Sequence, residues 1–77
     1  MDYIATRKEI AYKTGIGLNT MSSYLNGYRF AKFRQDKGIK YNQEFIDTLI
    51  EFLWHKRQIK AIDRLKSFNP QYDTAEM

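Results

Sequence analysis

Asn19 is the side chain in this 77-residue sequence best suited to reading a nucleic-acid base. Its carboxamide sets one donor beside one acceptor, the pattern that pairs bidentately with adenine in the major groove. Leu18 next to it can touch a thymine methyl group, and Ser22 and Ser23 follow at spacings that share the outer side of a helix. The blander roles are a helix cap for Asn19, solvated hydroxyls for the two serines, and a helix stop for Asn26 and Gly27. The cations that a polyanion requires are gathered in the same part of the chain. Residues 1–41 hold eight Lys and Arg against three Asp and Glu, whereas residues 42–77 hold five against six, within a formal net charge of +4. Arg29, Lys32, Arg34, Lys37 and Lys40 interleave with Tyr28, Phe30, Phe33 and Tyr41, opposed only by Asp36. Cations segregated beside small polar readers are what phosphate neutralisation requires.

Other chemistries find little support. Cysteine is absent and His55 is the single histidine, so neither a disulfide, a thiolate metal site nor a histidine-rich zinc site is expected. Asp47 and Glu51 stand one helical turn apart, but with no metal partner or cleft they read as solvating charges rather than an acid–base pair. Gly15-Ile16-Gly17 does not follow a strand and so is no phosphate cradle. No enzyme activity, cofactor or small-molecule ligand is expected. No segment has the length and hydropathy of a membrane span, and MDYIATRKE lacks the layout of a signal peptide, so the expected location is cytoplasmic.

The elements that must position these residues follow from local rules. Thr6 and Glu9 form a capping-box pair, so a helix begins at Arg7, and Gly15 ends it in a left-handed conformation. Arg7, at that helix start with Thr6, is a better phosphate candidate than Lys8 or Lys13. Ile16 plugs the corner. A second helix starts at Gly17 or Asn19 and turns Met21, Tyr24 and Leu25 inward. Tyr28, Phe30 and Phe33 are strand-prone, QDKG at residues 35–38 is a turn signal, and Ile39–Tyr41 returns, predicting a β-hairpin over 27–42 whose competitor is a mobile basic loop. Tyr3 and Ile4 are expected to pack beneath the first helix. From Asn42, acting as cap, the apolar positions Phe45, Ile46, Leu49, Ile50, Phe52 and Leu53 predict a long helix. Past Trp54 the apolar side rotates to Ile59, Ala61, Ile62, Leu65 and Phe68. One helix with two apolar faces needs two partners: its own domain, and a second subunit held by Trp54, Ile62, Leu65 and Phe68. The competing reading is a bend near residues 55–58 that folds the distal half back on the core. Asn69-Pro70 is expected to end the helix, with residues 70–77 as a flexible tail. The fold class is thus mainly α, one domain over residues 1–69.

The placing of Ile10, Ala11, Gly15, Ile16, Met21 and Tyr24 resembles the helix-turn-helix of bacterial and phage DNA-binding proteins. KEIAYKTGIGLNTMSSYLNG is similar to the N-terminal domain of the lactose-repressor family, except that Gly17 replaces the usual Ser or Thr cap. That resemblance implies base reading by Leu18, Asn19 and Ser23, and phosphate holding by Thr6, Thr20, Ser22 and Asn26. The order of recognition helix, basic hairpin and helix resembles winged excisionases and mercury-resistance-type regulators, in which Arg29, Lys32, Arg34 and Lys37 would supply salt-dependent contacts to the backbone. The expected function is sequence-specific binding of double-stranded DNA by a small phage- or plasmid-type regulator. The alternatives are an excisionase-like architectural protein and a protein-interaction module such as an anti-repressor.

Overall fold

The structure, a computed structural model, describes residues 3–68. Asn69, Pro70 and the expected tail lie outside the described residues. Helix α1, Arg7–Thr14, starts as its sequence dictates, with Thr6 Oγ1 accepting from the Glu9 amide at 3.0 Å. The other half of the expected capping box goes elsewhere: the Glu9 carboxylate accepts from the Tyr3 hydroxyl at 3.0 Å. Partial burial, followed by this bond to a carboxylate, pushes the Tyr3 phenol up to about 12, so it stays a donor throughout the neutral range. Gly15 stops α1 with φ +74°, and a Cβ there would stand 2.6 Å from Arg64 Nε, so glycine is required twice over. Helix α2, Leu18–Leu25, begins after Gly17 with no side-chain cap and buries Met21 and Leu25.

The residues expected to form the first strand of a hairpin do not. Tyr28–Phe33 is a 3-10 helix that buries Phe30 and Phe33 together. Residues three apart fall on opposite faces of a strand but on one side of a three-residue turn, and both rings must reach the core. The hairpin shrinks to β2, Arg34–Gln35, and β3, Gly38–Tyr41, joined through Asp36 and Lys37. Its third member comes from the chain start. Strand β1, Tyr3–Ala5, pairs antiparallel with β3 in the register Tyr3↔Tyr41, Ile4↔Lys40, Ala5↔Ile39, giving the order β1-β3-β2. The expected packing of Tyr3 and Ile4 beneath the first helix is therefore replaced by strand pairing that buries Ala5 and leaves both side chains exposed. Gly38 makes this close approach possible, since a Cβ would collide with the Ala5 carbonyl oxygen.

The expected long helix is two helices, α3, Gln43–His55, and α4, Ile59–Ser67. Asn42 caps α3 as predicted, its Oδ1 accepting from the Phe45 amide at 2.8 Å. The break is sealed by a Schellman motif, in which the Gln58 amide donates to the Leu53 carbonyl at 2.9 Å and the Arg57 amide to the Trp54 carbonyl at 3.0 Å. Arg57 occupies the left-handed position, φ 58°, that glycine usually fills. Arg57→Gly is accordingly expected to raise stability by about 0.5–1 kcal/mol, relief of the Cβ clash outweighing the added freedom of the unfolded chain. An unchanged or lower midpoint in chemical denaturation would refute this.

After the turn α4 packs against both α1 and α3. Ile62 and Leu65, expected at a subunit interface, lie instead in the molecule's own core with Ala61. One small core cannot satisfy the rotated apolar stripe with a straight helix, so the chain breaks and buries both stripes within itself. Arg64 fastens this arrangement, its Nη2 donating to the Tyr12 carbonyl near the end of α1 at 3.3 Å. The centre of the molecule is aromatic: Phe45 meets Phe30, Phe33 and Tyr41 at centroid distances of 5.7, 5.3 and 5.5 Å.

Candidate nucleic-acid interface

With Met21 and Leu25 fixed inward, the rotation of about 100° per residue turns Asn19, Ser22, Ser23 and Asn26 toward the outer side of α2 and its end. Asn19, Thr20, Ser23 and Asn26 are exposed, Ser22 is half-buried, and Leu18 is 47% exposed. Residues 18–25 contain no Asp, Glu, Lys or Arg. Asn19 sits exposed in the first turn of the helix, whose cap is Gly17.

One flank of α2 is built by Arg7. Its Nη1 donates to Asn26 Oδ1 at 2.9 Å and to the Ser22 carbonyl at 3.3 Å, tying the start of α1 to the end of α2. Two of the expected phosphate residues, Arg7 and Asn26, thus hold each other. Beside them a shallow cleft is lined by Thr6, Arg7, Gln35, Asp36, Lys37 and Gly38, which brings the tip of the β2–β3 hairpin next to the N-terminus of α1. Lys37 is exposed at that tip, with Asp36 its acidic neighbour. The Thr6 hydroxyl, although exposed, is already an acceptor for the Glu9 amide.

The other expected wing cations are not on the hairpin tip. Arg34 Nη1 donates to the carbonyls of Leu25 and Gly27, both at 2.9 Å, and so caps the C-terminus of α2. Arg29 and Lys32 stand on the 3-10 segment facing α3, where Arg29 lies 3.7 Å from Glu51 and Lys32 pairs with Glu44. Both pairs are exposed and contribute little to stability.

A second flank escaped the sequence reading. Between the C-terminal part of α2 and α3 runs a groove lined by Ser23, Tyr24, Tyr28, Arg29, Phe52 and Lys56. Lys56 Nζ lies 5.8 Å from the Tyr24 ring centroid and 5.6 Å from that of Phe52, while Tyr28 is 86% exposed at the rim. Lys56 follows Phe52 by one helical turn, its amide still donating to the Phe52 carbonyl, so it stands on the same side of α3. The available signal was this spacing of four residues from Phe52. Trp54 and Phe68, also expected at a subunit interface, are 61% and 42% exposed.

Among the described residues no group of His, Cys, Asp and Glu is placed to hold a metal ion, and no helix is long and apolar enough to cross a membrane. The described residues define a class: a mainly helical domain in which a helix-turn-helix pair stands beside a small three-stranded antiparallel sheet. Comparison with protein-family models, with curated proteins and with solved structures found no match.

Proposed function

We propose that this chain binds double-stranded DNA sequence-specifically, as a small transcriptional regulator of the phage or plasmid kind. The observation that carries the reading is the outer surface of α2: polar, exposed, free of acidic side chains, and bordered by cations on both sides. In this reading Leu18, Asn19 and Ser23 face base edges in the major groove. Thr20, Ser22 and Asn26 fix the register. Arg7 and Lys37 approach one phosphate strand, and Arg29 and Lys56 the other. Ion pairs as exposed as that of Arg29 with Glu51 exchange readily for phosphate. Arg34, spent on the end of α2, holds the helix in place and makes no contact of its own.

Fluorescence anisotropy on duplexes chosen by selection from random sequence tests this. Affinity is expected to fall steeply as salt rises, and Asn19→Ala is expected to narrow the gap between cognate and scrambled duplex by about 1–3 kcal/mol. Absence of duplex binding at low salt would defeat the proposal, whereas an unchanged gap would remove Asn19 from base reading.

A further inference from the structure

We propose that the outward stripe of α3, running from Asp47 through Glu51 to Trp54 with half-buried Ile50 at its edge, is where two copies of this chain meet antiparallel about a twofold axis. Asp47 and Trp54 are seven residues apart, which returns them to within about 20° of one another around the helix. Trp54 is 61% exposed, an unusual position for the largest side chain of so small a protein, and Ile59 beside it is 44% exposed. Trp54, His55, Arg57 and Ile59 line a hollow at the α3–α4 turn.

The occupant follows from charge. A twofold interface requires one patch to complement itself. This stripe does so by halves: Asp47 stands on its N-terminal side, Glu51 near its middle is paired within its own copy with Arg29, and Arg57 stands in the turn that closes its C-terminal end, with Lys60 beyond it at the start of α4. With the axis level with Phe52, midway between Asp47 and Arg57, the turn of one copy comes opposite Asp47 of the other, and Trp54 opposite Ile50. Asp47 already accepts from Gln43 Nε2 at 2.9 Å, which fixes its carboxylate at the surface. A parallel arrangement would oppose like charges. Phe52, which meets Tyr24 of α2 at a centroid distance of 5.0 Å, is two residues and about 200° from Trp54, so the contact leaves the outer face of α2 uncovered.

Sedimentation equilibrium of the full chain, with no DNA present, tests this apart from any reading of function. The wild-type chain is expected to show a reversible monomer–dimer equilibrium. Asp47→Lys and Arg57→Glu, each counted twice by the symmetry, are each expected to weaken it by about tenfold or more, and an equimolar mixture to recover most of the loss as a heterodimer. Trp54→Ala is expected to weaken it as well, and circular dichroism of each variant reports that the fold is kept. A wild-type chain that stays monomeric to millimolar concentration overturns the proposal. A dimer indifferent to both charge reversals, or a mixture that recovers nothing, overturns it equally.

Discussion

Leu65→Glu is expected to unfold the chain rather than to change its assembly. Leu65 is fully buried where α4 packs against α1 and α3. The substitution removes a side chain whose loss alone costs about 2–5 kcal/mol and puts in its place a carboxyl that finds no water. The combined penalty, at least about 4 kcal/mol, approaches the whole stability of a domain this small, on the order of 5 kcal/mol. Far-UV circular dichroism would show lost helix at ambient temperature and no cooperative melt. A variant that remained folded and merely changed its mass would mean that α4 is not docked on its own molecule.

Phe45→Ala is expected to cost about 3–5 kcal/mol, because its ring is the hub on which Phe30, Phe33 and Tyr41 converge. Those three rings come from the 3-10 segment and from β3, so the void would loosen the hairpin and the segment following α2 together. Guanidinium denaturation followed by Trp54 fluorescence would place the midpoint far below that of the wild type. A midpoint close to the wild-type value would exclude Phe45 from the core. Trp54→Ala supplies the contrast: an equally drastic truncation at an exposed site should leave the monomer's intrinsic stability nearly unchanged.

What the sequence made legible was encoded within one turn of the chain. Thr6, Gly15 and Asn42 set helix ends by bonds or dihedral angles that span three or four residues, and each does so in the structure. The outward side of α2 was equally readable, because Met21 and Leu25 fix its rotation. Strand β1 was not, since Tyr3–Ala5 becomes a strand only through a partner at Ile39–Tyr41 that no local pattern announces. The turn between α3 and α4 was legible only as one of two readings of the rotated apolar stripe, because its left-handed position carries Arg57, where a glycine would have declared it. The spacing of Phe30 and Phe33 did contain the 3-10 segment, but strand propensity masked it. The fate of the cations was the least legible part of the candidate site. Arg34 answers carbonyls at the end of α2, while Arg29 and Lys32 answer acids that folding delivers from α3.

The placement of β1 also bears on the thermodynamics of any encounter. Its last residue, Ala5, is paired with Ile39 of the hairpin, and one residue later Thr6 caps α1, whose Arg7 grips the end of α2. The hairpin tip and the outer face of α2 are therefore coupled by a lever of three consecutive residues, not by a floppy tether. A partner that spans both finds them preset at their working separation, so docking forfeits little backbone entropy, and a larger share of the contact energy survives as affinity.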